Sequence, residues 1–318
     1  MPRILERQTI FTPLGIRFWD PATDSQVAHG LRVRAWPDGA TEPIRTAFRT
    51  ASGVYAFQGL PGLRELEYPA ANGDGQASPP ALERFVVAVE DEQRRFLPVT
   101  LRVDAPFAGI YPTGQGGGAP PGGGAPPGGG APQGGGAPPG GGAPQGGGAP
   151  QGGETPPLPG LYLFSAPWRS VGGLAVVRAD LVRRATGEPA AWAVLELDLA
   201  EGGVWHGIAD ERGRAAVFFP IPPFQATLGS SPPGPQAPPQ AQQWPLTARV
   251  LFQPAHLETP AGADQPDLRT ILTQAAGVLW ATVNGAPASQ LPATLNFGQP
   301  LILRSADQPE TRLLVDAA

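Results

Sequence analysis

Three histidines are the side chains of this sequence best suited to bind a metal ion or to transfer a proton: His29, His206 and His256. They lie far apart in the chain, and none belongs to a His-x-His or His-Glu-x-x-His pattern, the spacings that direct two ligands at one ion. The sequence contains no cysteine, so thiolate ligands and disulfide bonds are excluded. We therefore expect no metal site, and each histidine is predicted to be at the surface or half-buried.

Candidate nucleophiles and acids also lack the partners that catalysis requires. Ser52 and Ser165 lie in a turn and in a strand pattern, and no Gly-x-Ser-x-Gly elbow surrounds either of them. The acidic run at residues 90–92 could bind a cation, although such a run more often forms a solvated turn. The glycine-rich segment lacks the Gly-Lys-Ser/Thr of a phosphate-binding loop. The sequence thus predicts no catalytic residue, no cofactor and a protein that is not an enzyme.

Tryptophans offer a different kind of site, because exposed aromatic rings bind sugars by stacking. Of the seven tryptophans, most lie in strand patterns, and Trp19 and Trp36 are expected in the core or at a domain edge. Trp205 stands beside His206, shortly after two glycines, and is the best candidate for an exposed ring. Trp205 and His206 are therefore the predicted binding residues, with a carbohydrate as the candidate ligand.

Charge and hydropathy narrow the range of partners. The formal net charge is −5, and all 22 basic residues are arginines without a basic run, so we expect no surface that follows nucleic-acid phosphates. No apolar stretch approaches the roughly 18–20 residues of a membrane span. The charges near residue 1 do not fit a secretory signal peptide. We expect a cytoplasmic protein whose partners are proteins, with carbohydrate as a further candidate.

A low-complexity segment divides the chain. The sequence has 44 glycines and 42 prolines among 318 residues, and residues 116–151 are six copies of Gly-Gly-Gly-Ala-Pro-Pro/Gln. Alanine falls where a collagen triple helix needs every third residue to be glycine, and a bundle of polyglycine-like helices is the more exotic alternative. Because the repeat offers no large apolar side chain, it is predicted to be a flexible linker. The expected organisation is an N-terminal domain (1–110), a linker (111–157) and a C-terminal domain (158–318) with a Pro/Gln-rich loop at 229–243.

Short apolar runs separated by turn residues fill both halves, which is typical of antiparallel β-sandwiches. The sequence predicts one short helix, at 266–276, where Leu268, Ile271, Leu272 and Ala275 share an apolar face. The predicted strands are residues 16–19, 31–36, 54–57, 85–89, 96–103, 160–164, 174–183, 192–199, 215–219, 244–252, 294–297, 301–303 and 313–315.

The two halves share a turn that carries a resemblance. Residues 50–62 run Thr-Ala-Ser-Gly-Val-Tyr-Ala-Phe and end in Leu-Pro-Gly, and residues 210–218 run Asp-Glu-Arg-Gly-Arg-Ala-Ala-Val-Phe. In each, a glycine is expected to take a positive φ just before a strand. Each segment resembles the carboxypeptidase-regulatory or transthyretin-like class of small Ig-like β-sandwiches. That resemblance implies two all-β scaffold domains and no particular activity.

A second resemblance concerns the whole chain. The strand Arg-Phe-Leu-Pro-Val at 95–99 and the segment Leu-Tyr-Leu-Phe-Ser-Ala-Pro at 161–167 resemble accessory proteins of contractile, phage-tail-like injection particles. This resemblance implies protein partners within such a particle, release as part of it, and no catalytic residue. We therefore expect a non-enzymatic structural or adaptor protein made of two tethered binding modules. The alternative is a carbohydrate-binding or adhesive module.

Overall fold

A computed structural model of the protein describes residues 12–63, 82–106, 161–199, 203–223, 242–308 and 310–317. Strands dominate these residues, and no helix among them reaches seven residues, which confirms the predicted all-β class. The predicted linker (111–157) and nearly all of the predicted Pro/Gln-rich loop (229–243) lie outside the described residues.

Three small sheets form the N-terminal half. Their strand orders are β5-β4-β8-β9, β1-β7-β6 and β10-β2-β3, and β10 comes from beyond the low-complexity segment. The strands of this half are β1 (Leu14–Ile16), β2 (Phe18–Asp20), β3 (Ser25–Gln26), β4 (Leu31–Pro37), β5 (Arg45–Thr46), β6 (Phe48–Arg49), β7 (Tyr55–Phe57), β8 (Glu83–Asp91), β9 (Val99–Ala105) and β10 (Leu161–Tyr162).

Two further sheets form the C-terminal half. One has the order β13-β12-β15-β18, and the other has the order β14-β11-β20-β16-β17, with β19 also paired to β11. The strands are β11 (Leu174–Arg183), β12 (Val194–Leu199), β13 (Gly203–Ile208), β14 (Arg214–Pro220), β15 (Gln243–Leu251), β16 (Val278–Trp280), β17 (Pro287–Ala288), β18 (Leu291–Asn296), β19 (Leu301–Leu303) and β20 (Arg312–Asp316).

The sequence pattern predicted antiparallel sheets, but some of the strand pairs are parallel. Strands β19 and β20 both run parallel to β11, at successive positions along it, and β10 runs parallel to β2. Parallel pairing requires a long connection between the two strands. The chain provides one in each case, because more than 100 residues separate the partners in the sequence.

The predicted helix is present but shorter than expected. Helix α1 spans Leu268–Leu272, with Asp267 as its N-cap, since the Asp267 carboxylate accepts from the backbone N–H of Arg269. A buried glutamine, Gln274, ends the apolar face: its amide donates to the carbonyls of Ile271 and of Trp192, which lies in the turn before β12. A single 3-10 turn, Pro254–His256, lies before this helix.

The shared turn has the predicted geometry in both halves. Gly53 has a φ of 75° and Gly213 a φ of 77°. The N–H of Gly53 donates to the Thr50 carbonyl at 3.0 Å, and the N–H of Gly213 donates to the Asp210 carbonyl at 2.9 Å. Positive φ values of this kind are strained for residues with a side chain, which explains glycine at both positions.

Each half has its own core, but the N-terminal core is completed from the other half. The C-terminal core lies between its two sheets, where alternate residues of β12 and β15 point inward. The N-terminal core contains Leu163 and Phe164, which follow β10, and Leu268 and Ile271 from α1. Burial of each such side chain contributes about 1.5–3 kcal/mol, so these residues help to stabilise the N-terminal half.

Backbone hydrogen bonds join residues 161–166 to the N-terminal half. Leu161 donates to the residue just before β2, and Leu163 donates to the middle residue of β2. Leu97 donates to the carbonyl of Phe164 at 2.9 Å. Ala166 in turn donates to the Arg95 carbonyl at 2.9 Å. The sequence had placed everything from residue 158 onward in the C-terminal domain, whereas these residues contact the N-terminal strands directly.

Candidate functional site

The predicted binding residues, Trp205 and His206, lie in β13 and are only partly exposed. The ring of Trp205 stacks on Phe219 with 5.9 Å between centroids, and His206 Nε2 lies 3.0 Å from Glu196 Oε1. His206 Nδ1 is buried and has no hydrogen-bond partner among the described residues. Both side chains line a narrow crevice of about 20 Å³ between the two halves, together with Tyr162. The structure thus brings the pair together, but in a crevice rather than on an open surface.

The other residues considered for chemistry lie in separate places. His29 is exposed, and the ring of His256 hydrogen-bonds Thr273 at 2.9 Å on the surface. Ser52 lies in the turn before β7, whereas Ser165 is buried and accepts a hydrogen bond from an arginine guanidinium. Among the described residues, no group of three or more His, Cys, Asp or Glu side chains is close enough to hold a metal ion.

The exposed tryptophan is Trp168, which sequence reasoning did not single out. Its relative exposure is 50%, whereas Trp36 and Trp244 are buried and the remaining four are half-buried. Trp168 follows a proline just after the segment that joins the N-terminal sheets, in no strand pattern. Its position between Pro167 and Arg169, outside any alternating run, was the available signal for exposure.

Two contacts fix the Trp168 ring in place. The indole N–H donates to the backbone carbonyl of Arg94 at 2.7 Å. The guanidinium carbon of Arg214 lies 5.6 Å from the ring centroid, a cation–π distance. Arg214 is itself held by Asp210, with two hydrogen bonds of 2.6 and 2.9 Å to one carboxylate oxygen. The ring is therefore positioned by groups from both halves of the protein.

Trp168 forms one wall of an open groove of about 700 Å³. The end of β8 and the turn that follows it, residues 90–94, also line the groove, and the apolar residues Phe96 and Pro98 complete it. An aromatic wall facing a few polar side chains is the usual composition of a small-ligand site.

The turn that lines the groove is ordered by one carboxylate. Asp91, whose side chain is 1% exposed, accepts from the backbone N–H groups of Gln93, Arg95 and Phe96 at 3.3, 2.6 and 3.3 Å. The guanidinium of Arg95 donates two further hydrogen bonds of 3.0 Å. Burial alone would raise the pKa of Asp91, but the hydrogen bonds and charge of Arg95 outweigh it and hold that pKa below its ordinary value.

The acidic run at 90–92 is paired with arginines rather than available for a cation. Glu90 pairs with Arg34, Asp91 pairs with Arg95, and Glu92 lies 3.7 Å from Arg32. Arg94, by contrast, is exposed, and its guanidinium makes no hydrogen bond or ion pair with any residue that the structure describes. Its φ is +55°, an uncommon value for a residue with a long side chain.

A buried ion pair lies near this groove, where the two halves meet. Arg169 donates to Asp20 from both terminal nitrogens, at 2.6 and 3.2 Å, and also to Ser165 Oγ at 2.8 Å. The side chains of Asp20 and Arg169 are only 5% and 9% exposed. The guanidinium also lies 4.8 Å from the Phe96 ring centroid and 5.8 Å from that of Phe218. The pair thus sits between N-terminal strand β2 and C-terminal strand β14.

No helix in the part of the chain that the structure describes is long and apolar enough to cross a membrane.

Comparison with known proteins gives no match, whether to a protein-family model, to a curated protein or to a solved structure.

Proposed function

We propose that this protein is a non-enzymatic structural or adaptor protein whose two β-rich halves act as one joined body. The observation that supports this best is the bidentate Asp20–Arg169 ion pair, with both side chains less than 10% exposed, because its guanidinium also packs on Phe218 of the C-terminal half. A buried pair is strongly destabilising when one partner is removed, so it favours a single arrangement of the elements it joins. Each half serves as a transthyretin-like (Ig-like) β-sandwich scaffold, in line with the turn that both share.

A second set of contacts supports the same conclusion. Residues 254–267, here called the strap, lead from the C-terminal half across the outer face of β4 and β8. The indole N–H of Trp36 donates to the Ala261 carbonyl at 2.8 Å, and Ala263 packs beside that ring. Arg102 of β9 forms an ion pair with Glu258 at 2.8 Å. The strap therefore holds the halves together independently of Arg169.

The attachment of the low-complexity segment suggests its role. Residues 107–160 connect β9, which ends at Ala105, to β10, which begins at Leu161, and both strands belong to the N-terminal sheets. Since other contacts already join the halves, this segment is not needed to keep them together. We assign it to reaching a protein partner, and a contractile, phage-tail-like particle is the partner that the sequence resemblance favours.

Co-sedimentation tests this function. The full chain carries an epitope tag in its native cells, and particles are separated from free protein on a density gradient. We expect the tagged chain in the particle fraction, and a chain lacking residues 116–151 to stay folded but to leave that fraction. If the full chain migrates only with free protein, the particle proposal is wrong. If both chains sediment with particles equally, the segment has another role.

A carbohydrate-binding or adhesive module is the second candidate, and the exposure of Trp168 is the observation that favours it. A half-exposed indole that is held by hydrogen bonding and by Arg214 can stack on a sugar ring. Binding of the purified full chain to an immobilised glycan array tests this candidate. We expect glycan signals that Trp168→Ala abolishes and Trp205→Ala leaves unchanged. Equal signals from wild type and Trp168→Ala would contradict it.

A further inference from the structure

We infer that the groove between Trp168 and the turn at residues 90–94 binds an acidic saccharide, one whose sugar ring carries a carboxylate. This inference rests on the second proposed function and names its ligand class. Trp168 and Arg94 are the two residues that carry it, and both line the groove.

The aromatic wall provides the sugar-stacking surface. The N–H of Trp168 is already bonded to the Arg94 carbonyl, so the ring offers its apolar surface rather than a hydrogen-bond donor. A pyranose presents a face of C–H groups that buries against such a ring. Because the ring is held by Arg94 and by Arg214, little side-chain freedom is lost when a sugar stacks on it.

The charges at the groove select an anion. The three acidic side chains of the turn are each paired with an arginine, and they offer no unpaired negative charge. Arg94 is the exposed cation on this wall, without an ion pair to any described residue. A guanidinium binds a carboxylate through two parallel hydrogen bonds, and such charge-assisted bonds are about twice as strong as neutral ones.

The backbone of Arg94 is fixed before any ligand binds. Five hydrogen bonds from Gln93, Arg95 and Phe96 to the Asp91 carboxylate order the turn, and they hold Arg94 at its positive φ. Uncommon backbone conformations that the surroundings enforce are typical of ligand-binding sites. The neighbouring Gln93 lines the same groove, and its amide can both donate to and accept from sugar hydroxyls.

Backbone pairing argues for a saccharide over an extended peptide. A peptide that adds to a sheet needs a strand with unpaired N–H and C=O groups. Strand β8 is paired on both sides, by β4 and by β9. Residues 95–97, which continue the groove wall, already hydrogen-bond residues 164–166. The groove therefore offers a ring face and side-chain groups rather than a strand edge.

Isothermal titration of the full chain with tetragalacturonate, neutral galactotetraose and tetraglutamate tests the inference. We expect tetragalacturonate to bind on the order of tenfold more tightly than the neutral sugar, from its charge-assisted bonds to Arg94. Arg94→Gln should remove that preference, and Trp168→Phe should weaken both sugars. Arg304→Gln, an exposed arginine outside the groove, is the matched control and should change nothing. Circular dichroism checks that each variant is folded.

The outcomes distinguish failure of the acidic ligand class from failure of carbohydrate binding itself. Equal affinity for the two sugars, with Arg94→Gln unchanged, overturns the acidic ligand class and leaves carbohydrate binding standing. Failure of the wild-type chain to bind either sugar overturns both. Tetraglutamate binding as tight as tetragalacturonate, with the same loss in Trp168→Phe, overturns the saccharide in favour of an acidic peptide.

Discussion

Replacing Arg169 with alanine should lower the free energy of unfolding by about 3 kcal/mol, the lower end of the range for breaking a buried ion pair. The change removes two hydrogen bonds to Asp20 and one to Ser165 and leaves the Asp20 carboxylate almost completely buried. The lower end applies because Asp20 keeps two other donors, the Ala22 N–H at 3.0 Å and the Thr23 hydroxyl at 2.9 Å.

Urea unfolding followed by circular dichroism and by tryptophan fluorescence measures this loss. The matched control is Arg84→Ala, which breaks the Arg84–Asp104 pair, whose side chains are 60% and 51% exposed. We expect that control to lower the free energy of unfolding far less than Arg169→Ala does, because solvent screens an exposed pair. A double variant, Asp20→Leu with Arg169→Met, should recover most of the loss, because apolar side chains of similar size often replace a buried pair without cost.

The joined-body proposal adds a second readout. If the ion pair couples the halves, we expect the fluorescence and circular dichroism transitions to coincide in the wild type and to separate in Arg169→Ala. The reasoning is refuted if Arg169→Ala costs no more than Arg84→Ala. It is also refuted if the double variant is no more stable than Arg169→Ala, since the buried charge of Asp20 would then not be the source of the loss.

Three further predictions concern turns and the strap. Gly173→Ala, at a φ of +79° with open space around it, should cost about 1–2 kcal/mol in a urea titration, and Gly213→Ala should cost more because its Cβ would collide with the Leu181 carbonyl; equal costs would contradict the collision. The pKa of Asp91 is lowered in the folded state, so the ionised carboxylate stabilises the protein above its unfolded pKa of about 3.9. This stabilisation is lost as the pH falls through the folded pKa. Asp91→Asn should therefore flatten the acid end of a plot of melting temperature against pH. Trp36→Phe removes one hydrogen bond to the strap and should cost about 0.5–1.5 kcal/mol, with faster hydrogen exchange at residues 254–267 as the local readout; unchanged exchange would show that the strap is held elsewhere.

Local patterns predicted the strands with the clearest alternation or the longest apolar runs. The predicted strand at 174–183 coincides with β11. The one at 31–36 ends one residue before β4 does, and the one at 244–252 is shifted by one residue from β15. Strand β13 was missed, because its glycines and His206 break the alternation and read as a turn. Its backbone is extended since β12 pairs with it along its whole length.

Local sequence patterns could not predict contacts between residues that are far apart in the chain. Asp20 and Arg169 are 149 residues apart, and nothing in their neighbourhoods marks them as partners. The same holds for Trp168, whose exposure depends on where the Arg94 turn and Arg214 place its ring. Trp205 was expected to be exposed from its position after two glycines, yet Phe219 of the adjacent sheet covers it. Local patterns thus set the elements, whereas the candidate site depends on how the two halves meet.

The N-terminal core also has a consequence for the order in which the chain folds during synthesis. Its last strand, β9, ends at Ala105, but the core is completed by Leu163 and then by Leu268 and Ile271. At roughly 5–20 residues per second, the ribosome needs roughly 10–30 s to deliver those last side chains. During that interval the surface later covered by α1 stays uncovered. The half that is synthesised first therefore completes its core only after most of the other half has been synthesised.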